Sequence, residues 1–385
     1  MKSYVKFVVA PVLALLASAA QAAAPPPIPP EANPIPVIVL VDLGSGQALV
    51  KRHADVPFLP ASVTKVMTAF VAFEEISAGR LPPDRVFVVP DELAQEWFAK
   101  GTSMYLKGGD AATTRDLLHG IMTASANDAS VVLAHGYAGS VPAWTGMMND
   151  AARRLGMTRS HYNTPNGWMD GGLTRVTASD LVRLSDAMIT RYPRLYREYS
   201  GIKRYVWRDV HMRSHDPTVD VVPGADGIKT GYTREAGYNF LGSAERNGRR
   251  LVMVLAGSPT HQQRDAAAKA LLEWGFNAWQ QRHLFAANQT IAEARVQGGN
   301  ARTLPLVSLH EVHATMPRGE NPAVRLNIRY RGPIMAPVRK GDQVAMLEVH
   351  VDGLRTGEVP LYAARDVGAA GTVDRIINGF MTLFS

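Results

Sequence analysis

The sequence has no cysteine among its 385 residues, which excludes disulfide bonds and thiolate chemistry. It has no cluster of basic residues interleaved with aromatic ones, so we expect no nucleic-acid partner. It also lacks the H-E-x-x-H spacing of zinc proteases, and His310 and His313 lie three apart in strand-like sequence, on opposite faces. We therefore expect structural histidines, no metal site and no cofactor.

The N-terminal segment, residues 1–24, has the composition of a secretory signal peptide. Lys2 and Lys6 give the segment a positively charged start, a short apolar run follows, and small residues come after it. This pattern predicts cleavage after Ala22 or Ala24. The alternative is a membrane-spanning anchor, for which the apolar run is short. Because an exported chain without cysteine suits a bacterial envelope, we expect a periplasmic location.

The charge balance is mildly basic. The formal net charge is +7, and removal of Lys2 and Lys6 with the signal leaves 39 basic residues against 34 acidic ones. A basic exported protein favours anionic surfaces such as membranes or wall polymers.

Composition shifts divide the remaining chain into four parts. Residues 25–36 are rich in proline and are expected to form an extended, weakly ordered spacer. Residues 37–283 have strand-like runs at both ends and helical patterns between them, which indicates an α/β (α+β) domain whose antiparallel sheet joins both ends. A helix near the end of this domain is expected to stop at Gly275. Residues 284–366 alternate strand patterns with turns and predict a small all-β domain.

The last part, residues 371–385, predicts a terminal amphipathic helix. Its apolar residues fall on one helical face: Val373, Ile376, Ile377, Phe380, Leu383 and Phe384. The helix either packs on the β domain or lies in a membrane interface. We favour peripheral attachment to the inner-membrane surface, because a helix this short needs a surface to bury against.

Ser62 and Lys65 are candidates for catalysis. They lie three apart at the start of an apolar helical run, so their side chains share a face. A serine hydroxyl needs an adjacent base, and a lysine serves as one when burial or a nearby cation lowers its pKa. The spacing alone is weak evidence, since Ser200 and Lys203 repeat it.

Two further motifs strengthen this hypothesis. Ser125-Ala126-Asn127 is the only S-x-N in the sequence, and Lys229-Thr230-Gly231 is the only K-T-G. A second hydroxyl relays a proton to a leaving amine, and an asparagine amide holds a substrate carbonyl. A lysine on a strand lowers the pKa of a neighbouring lysine and attracts an anionic substrate. Gly231, which has no side chain, allows close approach of a substrate backbone.

Together, the motifs at Ser62, Ser125 and Lys229 resemble those of low-molecular-mass penicillin-binding proteins, most closely the D-alanyl-D-alanine carboxypeptidases. The similarity extends over roughly residues 35–385 and includes "NGWMDGGLTRVTASDL" and "ADGIKTGYTREAGYNFLGSA". It implies a β-lactamase/transpeptidase-like fold for residues 37–283, the expected catalytic domain.

The resemblance also implies the reaction and the residues that perform it. Ser62 would attack the penultimate D-alanine carbonyl of a peptidoglycan stem peptide, Lys65 would be the base, and Ser125 would protonate the departing D-alanine. The backbone N–H groups of Ser62 and Tyr232 would form the oxyanion hole.

For substrate binding, the resemblance implies that Asn127 holds the substrate backbone and that Lys229 and Thr230 bind its terminal carboxylate, next to Gly231. β-Lactams would acylate Ser62.

One segment departs from the family pattern. Upstream of K-T-G the family often has an arginine- and asparagine-containing stretch, whereas this chain has "VWRDVHMRSHDPTVD". Arg208, His211 and Arg213 are all candidates for a carboxylate contact there, and the sequence does not choose among them.

Three alternative functions are weighed against the carboxypeptidase. A serine β-lactamase would need a glutamate for deacylation, and the only one between Asn127 and Lys229 is Glu198, without the E-x-x-L-N context. A murein D,D-endopeptidase uses the same site on cross-linked peptides, but such relatives usually lack the β domain. A catalytically idle penicillin-binding sensor would be acylated without releasing D-alanine.

Overall fold

The computed structural model describes residues 22–371. Most of the predicted signal peptide and nearly all of the predicted terminal helix therefore lie outside the described residues. Residues 27–41 and 49–276 form a larger compact unit, and residues 22–26, 42–48 and 277–371 form a smaller one. Within residues 22–371, no helix has both the length and the apolar character needed to cross a membrane.

The larger unit is built on a five-stranded sheet. Its strands are β1 (Val37–Asp42), β2 (Gln47–Arg52), β7 (Ala225–Thr233), β8 (Gly237–Arg246) and β9 (Arg249–Ser258). The order across the sheet is β2-β1-β9-β8-β7, so N-terminal strands pair beside C-terminal ones, as the sequence predicted. Two small ribbons accompany the sheet: β3 (Val86–Val88) with β4 (Ala111–Thr113), and β5 (Arg204–Trp207) with β6 (Val210–Arg213).

The described residues contain eight α-helices. Most of them come after β2 and before β7 in the chain. They are α1 (Lys65–Ser77), α2 (Asp91–Trp97), α3 (Thr114–His119), α4 (Asn127–Ala138), α5 (Val141–Arg154), α6 (Ala178–Arg191), α7 (Pro193–Tyr199) and α8 (His261–Asn277). Two 3₁₀ turns, Pro30–Ala32 and Ala61–Thr64, and one π-helical turn, Gly120–Ala124, complete the set.

Hydrophobic patterning explains how these elements pack. Every residue of β1 is buried, as expected for a strand covered on both faces. In α1, the apolar residues Val66, Phe70 and Phe73 recur at helical spacing and are fully buried. The predicted hairpin at Asn247-Gly248 is confirmed: both residues have positive φ, the geometry of a tight two-residue turn between β8 and β9.

The prediction of a weakly ordered proline-rich spacer is wrong for its second half, from residue 30 onward. Pro30–Ala32 forms a 3₁₀ turn, and Ala32 and Ile35 are fully buried. The Arg52 guanidinium donates hydrogen bonds to the carbonyl oxygens of Ala32 (2.9 Å) and Ile35 (2.8 Å). The segment is ordered because an arginine distant in sequence satisfies its backbone.

The smaller unit begins before the predicted boundary at residues 283/284. Its strands are β10 (Trp279–Phe285), β11 (Thr290–Gln297), β12 (Thr303–Val307), β13 (Val312–Pro317), β14 (Val324–Tyr330), β15 (Ile334–Met335), β16 (Gln343–Val351) and β17 (Gly357–Ala363). β10 pairs with β13, which places residues 279–283 in this unit instead of the larger one. The other strands form a sheet in the order β14-β16-β17-β12-β11-β15.

Residues 42–48 belong to the smaller unit through buried polar contacts. His313 Nε2 lies 2.7 Å from Asp42 Oδ1, and the Thr315 hydroxyl donates to Asp42 Oδ2 at 3.0 Å. A side chain at Gly44 would collide with the His313 ring, since its Cβ would lie 2.1 Å from Cε1. His313 therefore has a structural role, as the sequence analysis expected.

Gly275 does not end a helix, contrary to the prediction. It lies inside α8, where an added Cβ would be 2.7 Å from Leu251 Cδ1 and 3.0 Å from Leu40 Cδ2. The glycine allows α8 to approach the sheet closely, and this packing overrides its weak helix propensity.

Replacing Gly275 tests this explanation. We expect Gly275→Ala to lower the free energy of unfolding by about 1 kcal/mol, because overpacking of the fully buried leucines exceeds the gain in helix propensity. Gly146→Ala is the matched control: this glycine is exposed within α5 and its Cβ would meet nothing within 4 Å. It should raise stability by up to about 1 kcal/mol in urea unfolding. Equal effects of the two variants would contradict the packing argument.

Candidate active site

An open cleft in the larger unit brings the three sequence motifs together. Ser62, Ser125, Asn127, Thr230, Gly231 and Tyr232 all line it. Further lining residues are Gly101, Thr102, Gly167, Trp168, His215, Thr233, Tyr238, His261, Arg264 and Asp265. Ser200 and Lys203, which repeat the spacing of Ser62 and Lys65, are not among the lining residues.

Ser62 and Lys65 meet where the 3₁₀ turn Ala61–Thr64 runs into α1. Lys65 is fully buried, and its Nζ lies 2.9 Å from Ser62 Oγ. The same nitrogen lies 2.7 Å from Asn127 Oδ1 and 2.7 Å from the carbonyl oxygen of Asn166. The local spacing therefore gives the predicted contact, and two residues distant in sequence complete the environment of the amine.

The three oxygen neighbours of Lys65 Nζ determine how its amine is oriented when it is neutral. The oxygens of Asn127 and Asn166 only accept hydrogen bonds, so the two N–H groups of neutral Lys65 donate to them. The nitrogen lone pair is then left to accept the hydrogen bond of the Ser62 hydroxyl. This is the arrangement that a general base requires.

Burial and charge both favour the neutral form of Lys65. Burial lowers the pKa of its amine well below the usual value, the positive charge of Lys229 lowers it further, and Asp128 opposes the effect. Burial also lowers the pKa of Lys229 to about 7, with Asp216 raising and Arg264 lowering it.

Ser125 and Asn127 are positioned by an unusual break between helices. The π-helical turn Gly120–Ala124 ends at Ser125, which has a left-handed backbone (φ 64°), and α4 begins at Asn127. The Thr102 hydroxyl donates to the Ser125 carbonyl at 2.6 Å. The Asn127 backbone N–H donates to the Thr102 carbonyl at 2.8 Å, and its side-chain Nδ2 donates to the Lys100 carbonyl at 2.9 Å. In this structure the Asn127 amide therefore ties α1 to a neighbouring loop.

The K-T-G motif lies on β7, an edge strand of the sheet. Lys229 is buried, and its Nζ donates to the Thr230 carbonyl at 2.9 Å. A Cβ at Gly231 would lie 2.6 Å from the Pro60 carbonyl oxygen and 3.1 Å from the Ser62 nitrogen. The glycine is thus required by the protein's own backbone, and the sequence analysis had ascribed it to substrate approach. Tyr232, which follows, stacks on Tyr238 with ring centroids 4.2 Å apart.

Asn166, His215 and Arg264 belong to this site and were not predicted from the sequence. The Asn166 carbonyl lies in the "NGW" segment, which was noted without a role. His215 and Arg264 line the cleft but belong to no local motif. Burial, together with the charges of Lys229 and Arg264, lowers the pKa of His215.

The three candidates for a carboxylate contact, Arg208, His211 and Arg213, lie on or within the β5–β6 ribbon. None of them is among the described residues that line the cleft. Arg208 instead forms an ion pair with Asp110. Arg264 on α8 is the arginine that lines the cleft.

A comparison with protein families identifies the chain. A model described as D-alanyl-D-alanine carboxypeptidase matches residues 26–260. The chain belongs to this family. A second model, the C-terminal domain of penicillin-binding protein 5, matches residues 279–369 of this carboxypeptidase. The predicted family and the predicted serine carboxypeptidase function are confirmed, as is the predicted fold apart from the terminal helix.

Individual relatives agree with this assignment. D-alanyl-D-alanine carboxypeptidase DacD of Salmonella typhimurium is 30% identical over 347 residues, which cover 89% of this chain and 88% of the relative. The crystal structure of penicillin-binding protein 5 from Haemophilus influenzae has a TM-score of 0.71 at 27% identity, covering 90% of this carboxypeptidase and 99% of that chain. Ampicillin-bound penicillin-binding protein D2 from Listeria monocytogenes has a TM-score of 0.57 at 28% identity, covering 63% and 98%.

The charge of Lys229 should set the pH dependence of acylation. With neutral Lys65 as the expected base, the acylation rate should fall as pH drops through its pKa. Removing the neighbouring positive charge in Lys229→Gln raises that pKa and should move the acid limb to higher pH. Penicillin acylation rates measured against pH test this, and the exposed Lys51→Gln is the control. An unmoved acid limb would contradict the electrostatic coupling.

Proposed function

We propose that this carboxypeptidase removes the terminal D-alanine of peptidoglycan stem pentapeptides through an acyl-enzyme on Ser62. The observation that carries the assignment is the contact between Ser62 Oγ and the fully buried Lys65 amine, 2.9 Å apart within the cleft. In its neutral form this amine donates to two acceptors and has its lone pair free to take the serine proton.

The acylation step follows from this geometry. Lys65 takes the Ser62 proton while the oxygen attacks the carbonyl carbon of the penultimate D-alanine. The C–N bond then breaks, and the proton held by Lys65 passes to the departing nitrogen through the hydroxyl of Ser125, which lines the same cleft. Lys65 is then neutral again. Free D-alanine leaves, and the shortened peptide remains as an ester on Ser62.

In deacylation, water is the nucleophile and Ser62 is the leaving group. Water attacks the ester carbonyl and gives a proton to Lys65, the bond to Ser62 Oγ breaks, and the serine regains its hydrogen. The products are the shortened peptide and D-alanine, so one water is consumed in each cycle.

The approach of β7 to the turn at Ser62 supports an oxyanion hole. The close packing at Gly231 brings the strand against the backbone nitrogen of Ser62. The N–H groups of Ser62 and Tyr232 would both donate to the developing oxyanion, and loss of one such donor typically costs on the order of 10²–10³ in rate.

The charged end of the cleft fits the substrate's terminal carboxylate. Lys229 and Arg264 supply positive charge, part of which Asp265 offsets through its ion pair with Arg264 at 2.6 Å, and the Thr230 hydroxyl supplies a hydrogen bond. β-Lactams carry a carboxylate beside a strained amide, and the Listeria relative has been crystallised in ampicillin-bound and cefotaxime-bound forms. The same site would accept them as acylating inhibitors of Ser62.

The decisive test is D-alanine release from a pentapeptide that ends in D-Ala-D-Ala. The wild-type protein should release it, and Ser62→Ala should lower the rate on the order of 10⁴-fold or more, because the nucleophile is lost. Ser200→Ala is the matched control, since Ser200 and Lys203 have the same spacing outside the cleft. It should retain full activity.

Other outcomes of the assay identify the alternatives. Covalent penicillin labelling of Ser62 without D-alanine release would indicate a catalytically idle sensor. Cleavage of cross-linked peptide dimers without release from the pentapeptide would indicate an endopeptidase. Equal loss of activity in Ser62→Ala and Ser200→Ala would remove the basis for assigning Ser62 as nucleophile.

The second part of the proposal concerns location. The positively charged start, apolar run and small residues of residues 1–24 support export, with signal cleavage after Ala22 or Ala24. The apolar face of residues 371–385 supports attachment to the periplasmic face of the inner membrane. A peptidoglycan substrate on the periplasmic side of the membrane is consistent with both export and membrane attachment.

Truncation of the tail tests its role. Deletion of residues 372–385 should move the mature protein from the membrane fraction to the soluble fraction. Phe380→Asp, on the apolar face, should do the same because a charge there opposes burial in the interface. Asn378→Asp adds the same charge off that face and should stay membrane-bound. Sedimentation of the truncated protein with membranes would mean that the tail packs on the protein.

A further inference from the structure

The aromatic rim consists of two pairs of rings, Trp97 with Trp168 and Phe98 with Tyr105. Trp168 lines the cleft, and Phe98 and Tyr105 lie on the loop that also contains the cleft residues Gly101 and Thr102. The rings of Trp97 and Trp168 meet edge to face with centroids 5.9 Å apart, and those of Phe98 and Tyr105 do the same at 5.9 Å. Phe98 and Tyr105 are each 48% exposed. Large exposed apolar groups that cluster in this way mark interaction sites.

The rim is continuous with the active-site cleft. Trp168 lines the cleft, and so do Gly101 and Thr102 from the loop that follows Phe98. The Lys100 carbonyl accepts the hydrogen bond of Asn127, while its ammonium lies 4.3 Å from the centroid of Trp97 and 5.6 Å from that of Trp168. The cleft and the rim therefore share Trp168 and adjoin at Gly101 and Thr102.

The backbone of the rim is held in a disfavoured conformation. Ala99 (φ 54°) and Tyr105 (φ 58°) both have left-handed backbones, which residues with a Cβ rarely adopt. Neither residue gains burial from this, since both are exposed. Strained positions persist where the surrounding structure fixes them, and they concentrate at ligand-binding sites.

A buried carboxylate supplies that fixation. Asp128 Oδ1 accepts the backbone N–H of Met104 at 3.0 Å, and its Oδ2 accepts that of Leu106 at 3.0 Å. The Ser103 hydroxyl donates to Asp128 Oδ2 at 2.6 Å and accepts the backbone N–H of Tyr105 at 2.8 Å. The residues on both sides of Tyr105 are thus anchored, and its ring is presented to solvent.

The chemistry of the rim differs from that of β7. The edge strand β7 offers unpaired backbone groups, which suit an extended peptide. The loop of residues 98–105 contains no strand and offers aromatic faces, next to the charged side chains of Lys100 and Glu96. Aromatic faces and flanking polar groups match a pyranose ring, which has an apolar C–H face and hydroxyl groups at its edges.

We propose that the aromatic rim binds a sugar ring of the glycan that carries the stem peptide. This inference rests on the proposed function, because a wall peptide bound in the cleft brings its sugar with it. It makes the rim a second substrate subsite, which distinguishes glycan-linked peptides from free ones.

The test compares a stem pentapeptide with the same pentapeptide carrying its disaccharide. Two variants remove rings from exposed positions: Phe98→Ser, and Tyr105→Asn, in which asparagine tolerates the left-handed backbone. We expect kcat/KM for the disaccharide-peptide to fall about tenfold, as for loss of one aromatic contact, while kcat/KM for the free peptide stays unchanged. Val206→Ser, at an exposed position of β5 outside the cleft lining, is the control.

The outcomes distinguish failure of the sugar subsite from failure of the proposed function. Unchanged turnover of the disaccharide-peptide overturns the subsite, and so does an equal loss on both substrates, which would place the effect on the peptide. Wild-type inactivity on both substrates would refute the proposed function instead. In that case, calorimetric titration of both ligands into Ser62→Ala still tests the rim: the disaccharide-peptide should bind more tightly, and Phe98→Ser in that background should remove the difference. Equal affinities would overturn the subsite.

Discussion

The site depends on the burial of one amine. Lys65 is surrounded by protein, and a charged ammonium there would have lost its water without gaining a carboxylate partner. The neutral amine is the form that fits, because two acceptors take its hydrogens and a hydroxyl faces its lone pair. The residue is thus both a packed element of α1 and, in the proposed mechanism, the base of the reaction. Its basicity results from where the fold places it.

The second constraint is the contact between β7 and the turn before α1. These elements are distant in sequence, yet at Gly231 their backbones approach closely enough to exclude even a methyl group. The same approach brings Lys229 near enough to Lys65 for its charge to lower the pKa of the base. One packing contact therefore brings together Ser62, the K-T-G strand and the charge that acts on Lys65.

The sequence predicted what short-range patterns encode. The spacing of Ser62 and Lys65 fixes their contact within one turn of the chain, and the strand-like runs at both ends of the domain predict a sheet that joins them. The roles of Asn166 and Arg264 were missed because each depends on which distant segment folds against it. Gly275 and the proline-rich spacer were misread for the same reason: tertiary packing against Leu251, or an arginine reaching backbone carbonyls, overrides a local preference.

The loop of residues 98–106 shows how chemistry and recognition are coupled in this fold. Asp128 immediately follows Asn127, so the carboxylate that anchors the loop and the amide that contacts Lys65 lie on the same first turn of α4. Lys100 and Thr102 return from that loop to hold Asn127 through their carbonyl oxygens. A ligand that presses on the loop is therefore connected, through two hydrogen bonds, to a residue in contact with the base. The loop and Asn127 thus hold each other in place. Ligand recognition by the loop and the position of the Lys65 amine in the cleft therefore depend on the same hydrogen bonds.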